Sequence, residues 1–377
     1  MMKLAYCIAN VKNNILIRIF FQKKLNISII RISIIFLLFY TFQFRILGQY
    51  TMNSPYSRYG IGDIEPQGCE INRSMGGVGI SLRMPNQINY LNPASYTSQD
   101  TMSFIWDIGL RGNFTTYQTN LSKHNQKNFN FDHLALSFPI TRWLFASAGM
   151  MPYSKVGYDY AEKFDFSDGN RIKVEYYGSG YLNKFYIGNG LKLFDGLIHI
   201  GYNASYLFGS IYHNTSIYTV NSEDNAYGMN IYKKYDVALT GWLFSIGTQS
   251  EIKIDNKNKI IIGATYDIKS NLNAELSNYF NWADTILANN PDTGKYIIPA
   301  KLGFGISYLF NNQLTVGIDF NKQDWSKAKF LGQNDSLQNM WRISTGIEFV
   351  KDKNSYLNYW SRVRYRIGFR YENTYLS

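Results

Sequence analysis

Residues 362–372 read Arg-Val-Arg-Tyr-Arg-Ile-Gly-Phe-Arg-Tyr-Glu. Val363, Tyr365, Ile367, Phe369 and Tyr371 share one side of a two-residue period, and Arg362, Arg364, Arg366, Gly368 and Arg370 share the other. Only an extended strand sends successive side chains to opposite faces. Four earlier stretches repeat the pattern. Trp341, Ile343, Thr345, Ile347 and Phe349 oppose Arg342, Ser344, Gly346 and Glu348; Leu314, Val316, Ile318 and Phe320 oppose Thr315, Gly317, Asp319 and Asn321. Leu302, Phe304, Ile306, Tyr308 and Phe310 oppose Gly303, Gly305 and Ser307, and Ile260, Ile262, Ala264, Tyr266 and Ile268 oppose Gly263, Thr265 and Asp267. A soluble sandwich would alternate in the same way, so length, aromatic content and targeting must decide.

The chain has 377 residues, 17% of them aromatic, and only 17% charged against ~25% in ordinary globular domains. Its 31 Tyr and 25 Phe suit the aromatic girdles of a membrane barrel. Mean hydropathy is slightly negative, as in such barrels, where each lipid-facing residue is averaged with a lumen-facing one. Of the formal charge of +11, seven positive charges lie in residues 1–48, which hold no acid. The modest remainder, with no base-reading motif, gives no reason to expect nucleic acid.

Residues 1–48 are read as a signal peptide with a start-site extension. Lys23 and Lys24 begin it, residues 32–44 form its apolar run, and Leu47-Gly48 its exit. A single membrane helix is the rival, but the run is short of ~20 residues and Arg31 and Arg45 flank it closely. Cys7 falls in this segment. Cys69 alone remains, makes no intramolecular disulfide, and is read as a plug residue rather than a nucleophile.

Residues 49–98 are rich in Gly, Asn, Pro and Ser and show no long alternation. From 99 onward strand follows strand, about eleven in all. Tight turns at 139–142, 194–196, 255–258 and 311–313 alternate with longer polar segments at 120–128, 158–170, 221–230, 277–295 and 322–338. Short turns on one rim and long loops on the other mark an outer-membrane barrel. An Arg facing lipid near the midplane costs roughly 2–4 kcal/mol. Arg364, Arg366 and Arg370, with Arg111 and Arg342, are therefore expected to face the lumen beside Asp107, Asp267, Asp319 and Glu348. Single-chain bacterial barrels are even-numbered, and an unclosed barrel leaves two edges that hydrocarbon does not tolerate, so either the count is out by one or the chain is a fragment lacking its last strands, the reading favoured here.

Ser74-Met75-Gly76-Gly77-Val78-Gly79-Ile80, followed by Asn89-Tyr90-Leu91-Asn92-Pro93-Ala94-Ser95, resembles the start of the FadL/OmpP1 family of outer-membrane long-chain fatty acid transport proteins. The run Ser-Pro-Tyr-Ser-Arg-Tyr-Gly-Ile-Gly-Asp at 54–63 resembles its Bacteroidetes branch. The resemblance implies an all-β transmembrane antiparallel barrel of fourteen strands with an N-terminal hatch in its lumen. It also implies passive uptake of a hydrophobic small molecule such as a fatty acid through hatch and lumen. Gly76, Gly77, Asn92, Pro93 and Ala94 are the positions carried over; shaping a packed plug is an equally good reading of them.

Nothing in the sequence forms a catalytic constellation. His124, His133, His199 and His213 lack metal-ligand spacing, and no nucleophile elbow, phosphate loop or dinucleotide fingerprint occurs. The chain is read as a non-enzyme without cofactor, exported to the outer membrane and surrounded by its lipid. The competing role is a structural or protein-interaction subunit of a secretion or outer-membrane assembly complex, with envelope proteins as partners. An outer-membrane enzyme is a more distant third class.

Overall fold

A computed structural model describes residues 54–377, apart from 119–122, 168–170, 221–225, 283–284, 289–290, 331–332, 335–336, 354, 356–357 and 377. The expected signal peptide lies outside the described residues. The wall strands are β2 (Ile105–Gln118), β3 (Lys123–Pro139), β4 (Leu144–Asp165), β5 (Arg171–Leu193), β6 (Ile198–Val220), β7 (Ala226–Lys253), β8 (Lys259–Asp267), β9 (Ser270–Trp282), β10 (Thr285–Ala288), β11 (Asp292–Ile298), β12 (Lys301–Phe310), β13 (Leu314–Gln323), β14 (Lys329–Phe330), β15 (Gln333–Asn334), β16 (Met340–Val350) and β17 (Arg364–Asn373). They follow a two-residue strand, β1 (Asp63–Ile64), in the N-terminal segment.

Every pairing is antiparallel between neighbours in the wall. Two wall positions are broken in the middle. The strand β7 runs unbroken and pairs first with β9 and then with β8; across from them, β11 pairs with β9 and β12 with β8. The second break falls at Pro299-Ala300, where proline has no N–H for the ladder. Counting each broken position once, the described residues make eleven wall positions, the number read from the sequence. Among the described residues no ladder joins β17 to β2, so the sheet is not closed.

The two faces differ as a membrane barrel demands. On β12, Leu302, Phe304, Ile306 and Phe310 are about half exposed, while the inward Ser307 is 2% exposed. On β16, Ile343, Ile347 and Phe349 point out, and Arg342, Ser344 and Glu348 are buried within. On β17, Tyr365, Ile367, Phe369 and Tyr371 point out. The apolar face is thus the wetted surface of the isolated molecule, which lipid covers in a bilayer.

Four expected loops are largely strand, β3 taking up residues 123–128 of the first. The strands β4 to β7 have 22, 23, 23 and 28 residues, about twice the 9–11 that span a bilayer. They continue through much of 158–170 and 221–230, while β9 to β11 occupy most of 277–295. Cross-strand aromatics supply the reason: the rings of Tyr160 and Tyr176 lie 5.0 Å apart, and Tyr158 stacks on His213 at 5.8 Å. Polar composition suggested loops there; tyrosine pairing makes hairpins instead.

Residues 54–99 fill the bore. A 3₁₀ turn (Pro55–Arg58) and β1 lie against β4. A short helix, α1 (Glu70–Ser74), is followed by a glycine turn, and a second 3₁₀ turn spans Pro93–Ser98. Gly76 has φ +69°, and a Cβ there would sit 2.7 Å from both Phe369 N on β17 and Thr345 O on β16. The left-handed conformation and the close approach both demand glycine. The α1 segment thereby touches β17 on one side, and on the other Arg73 Nη1 reaches Asp132 Oδ2 on β3 at 2.8 Å. It spans the interval the ladder leaves open. Gly76→Val is expected to lower stability by at least about 2 kcal/mol. Thermal unfolding in detergent, with limited proteolysis of residues 54–99, would show it; a wild-type melting profile would refute this account of the turn.

Candidate functional site

Backbone groups in a plug must find partners once buried. Residues 79–82 make no strand of their own, and wall side chains satisfy them. Asp319, 1% exposed on β13, accepts from Gly79 N at 2.6 Å and Ile80 N at 2.8 Å. Gln249 Nε2 on β7 donates to Ile80 O at 2.8 Å, and Ser307 Oγ donates to Ser81 O at 2.9 Å. Arg83 completes the set, donating to Gln249 Oε1 at 2.9 Å and pairing with Glu251 at 3.4 Å. Burial pulls the Arg83 guanidinium down to about 10, with Glu251 opposing, so it stays charged at neutral pH.

Asn92 is fully buried and uses its whole amide. Its Oδ1 accepts from Ala94 N at 3.1 Å, capping the turn that Pro93 opens, and its Nδ2 donates to Ile80 O at 2.7 Å and Thr248 O at 3.0 Å. Pro93 and Ala94 lie on Gly201 of β6, where an added Cβ would stand 2.5 Å from Ala94 N. Gly77, at φ +95°, closes α1 by donating to Asn72 O at 2.6 Å. These five positions therefore dock the hatch, and none of them lines the cavities described below. Cys69 is buried at the start of α1, where burial pushes its thiol up and away from reactivity.

The inward arginines separate into three groups. Arg111 on β2 bridges hatch Glu65 and wall Asp132. Arg364 and Arg366 pair with Glu348 at 3.3 and 2.6 Å. Arg370 lies 3.5 Å from Glu372, whereas Arg342 is buried and its Nε has no hydrogen-bond partner among the described residues. Glu70, Asp132 and His133 stand close enough to share a cation, but Arg73 and Arg111 already supply Asp132 with positive charge. His199 and His213 are held by Thr97 and Tyr158, both bonds under 3 Å. The side chain of His124 lies outside the described residues. Sequence reasoning missed Glu65, Arg73, Arg83, Asp132 and Gln249, because hatch and wall residues pair across tens to hundreds of positions.

Two of the cavities that adjoin the hatch differ in character. One, of about 150 Å³, lies at the strand breaks between hatch and wall and is ringed by charged side chains. The other, of about 250 Å³, lies on the side of the long hairpins, between Arg58–Ile61 and β6, β7, β9, β11 and β14. Ile211, Val237, Leu239, Leu276, Tyr296 and Phe330 give it an apolar lining, with Arg58 and His213 at its edge. Arg58 is fixed by a 3.0 Å bond to Tyr160 Oη and by the Tyr176 ring at 4.2 Å.

A transmembrane antiparallel barrel stoppered by its own N-terminal segment is the architecture of FadL-type outer-membrane proteins. Solved structures of this architecture superpose on the chain. A FadL homologue of Pseudomonas aeruginosa shares 14% identity with a TM-score of 0.54, over 84% of this chain and 82% of its own. The Pseudomonas putida toluene transporter TodX shares 14% with a TM-score of 0.54, over 83% and 85%. A TodX deltaS2S3 mutant described as a monoaromatic hydrocarbon channel shares 15% with a TM-score of 0.51, over 80% and 82%. At such identities the likeness is one of fold. The chain belongs to the BamG family, whose model matches residues 29–377. No curated protein matches it.

Asp63 supplies a pH dependence. Burial, with Glu65 nearby, pushes its carboxyl up to about 6, Lys155 pulling the other way. The native state therefore holds this proton to higher pH than the unfolded chain. Its stabilisation is complete below about pH 4 and is lost as pH rises through about 6. Asp63→Asn should raise stability at pH 7 by on the order of 1–2 kcal/mol and flatten the profile between pH 4 and 6. An unchanged profile in denaturant titrations would exclude Asp63 as its source. Asn92→Ala should cost about 2–4 kcal/mol by orphaning Ile80 O, Thr248 O and Ala94 N, read as a lower melting temperature; a loss below about 1 kcal/mol would show that water replaces the amide.

Proposed function

We propose that this outer-membrane barrel takes up compact hydrophobic molecules, passively, through the apolar pocket above the hatch. The pocket carries the reading: about 250 Å³ walled by aliphatic and aromatic side chains. Apolar cavities of ~150 Å³ already hold benzene, whereas drug-sized ligands occupy ~300–1,000 Å³. A single aromatic ring therefore fits, and an extended fatty acid chain exceeds the room beside Ile61 and Leu239. That TodX is a toluene transporter and its deltaS2S3 mutant a monoaromatic hydrocarbon channel supports the same size class. Arg58 at the rim suits an acidic or phenolic substituent. In this reading residues 1–48 direct export and are removed, residues 49–98 are the hatch, and residues 99–377 the barrel.

A subunit role in an envelope complex is the second reading. It is favoured by the hatch, docked on the wall by Asp319, Gln249, Asn92 and Ser307, and by the unladdered edges of β2 and β17. It requires stable co-purification with envelope proteins and indifference of uptake to the pocket.

Val237 is only partly buried and lines the pocket, so Val237→Trp fills space with little strain on the wall. Cells carrying this variant should take up labelled toluene about tenfold more slowly than wild type at limiting concentration. Equal uptake by variant, wild type and deletion strain would end the transport proposal and leave the subunit reading.

A further inference from the structure

We propose that the cavity at the strand breaks is a binding site for a small oxyanion, a phosphate or a short carboxylate. This inference stands apart from hydrophobic uptake, because it concerns a different cavity and different residues. The cavity of about 150 Å³ is ringed by Lys184, Lys301, Arg342 and Arg370, facing Asp267, Glu372 and Glu65. Two of these carboxylates already have a partner. Glu372 lies 3.5 Å from Arg370, and Glu65 pairs with Arg111 outside the ring. Asp267 is left opposite three cations.

Those cations are poorly satisfied. Lys184 Nζ has one neutral acceptor, Gln67 Oε1 of the hatch, at 3.0 Å. The Lys301 ammonium and the Arg342 guanidinium form no hydrogen bond or ion pair among the described residues. Arg342 is 8% exposed, its Nε is a buried donor without a partner, and the side chain lines the cavity. Glu372 stands opposite Arg342 and Asp267 opposite Lys301 in the strand registers, but neither contact closes to an ion pair, and water solvates a buried cation without neutralising it. The excess of two positive charges over Asp267 matches a phosphate dianion. The volume also exceeds the ~30 Å³ of one water several-fold, enough for a tetrahedral oxyanion. The strand breaks at Ile268-Lys269 and Pro299-Ala300 create the space, since Ile268 and Pro299 line it where the ladder is interrupted.

The full chain, purified in detergent, should bind inorganic phosphate saturably in titration calorimetry, and phosphate should raise its melting temperature beyond chloride at matched ionic strength. Lys301→Gln and Arg342→Gln should each weaken phosphate at least tenfold, and Arg342→Gln should melt higher than wild type in phosphate-free buffer because it removes an unpaired buried charge. Lys301→Gln, at the less buried cation, decides the matter if Arg342→Gln does not assemble. Acetate binding more tightly than phosphate, and lost in the same variants, would identify a carboxylate as the occupant. Absence of saturable binding of either anion to wild type overturns the proposal. So does an equal response to chloride, or a Lys301→Gln protein with wild-type affinity.

Discussion

The structure depends on one constraint: a polypeptide segment lodged in a lumen must have its peptide groups bonded without water. The hatch has almost no regular structure to do this internally. Its two turns and one short helix cover few of its N–H and C=O groups, and β1 is two residues long. The wall provides the rest through side chains. Asp319 takes two successive N–H groups, Gln249 and Ser307 give protons to carbonyls, and Asn92 of the hatch reaches back to Thr248 O. Each is worth about 1 kcal/mol net, more where a carboxylate accepts, but each would cost more if left unmade. This asymmetry gives the hatch one register in the bore.

The wall was legible in the sequence because lipid on one side and a packed lumen on the other impose a strict two-residue period. Residues 302–310 and 341–349 show it with Leu309 and Thr345 as the exceptions, and their exposures alternate accordingly. The number of wall positions could be read for the same reason. The length of β4 to β7 could not. Beyond the bilayer no solvent boundary enforces the period, and Tyr158, Tyr160 and Tyr176 extend the sheet through aromatic pairing that looks like polar loop in one dimension. The hatch motif was legible as glycine and proline chemistry, and Gly76 and Asn92 do what their residue types do elsewhere. What was hidden was the partner of each, since Gly79 finds Asp319 across 240 positions.

Electrostatics in the bore follow from the same exclusion of charge from lipid. Every cation on the wall that cannot face hydrocarbon must be compensated inside, where the cost of an unpaired charge is highest. Glu348 compensates Arg364 and Arg366, and Glu65 of the hatch joins Asp132 in compensating Arg111. The hatch thus contributes charge as well as bulk. With Arg73 on Asp132 as well, hatch and wall share one ionic network across the interval between β17 and β2. Moving the hatch would strand Asp132 beside a single arginine, so displacement of the whole segment is costly.

That cost bears on how anything could pass. A route requiring expulsion of residues 54–99 would break the Asp319, Asn92 and Gln249 bonds together with the Asp132 network, a sum far above thermal energy. On the hatch side the apolar pocket is bounded by Arg58, Tyr59, Gly60 and Ile61, a short stretch near the hatch's own start. Gly60 there has φ +61° and rests against Tyr375, while Ser54 and Ser57 tie the 3₁₀ turn to Gly157 of β4. Local movement of this upper turn breaks few bonds and leaves the lower hatch docked. The hatch therefore divides into a segment beside the pocket, tied to the wall at Ser54, Ser57 and Arg58, and a more densely bonded one at Asp319, Gln249 and Asn92, and the uptake proposed above would need only the first to shift.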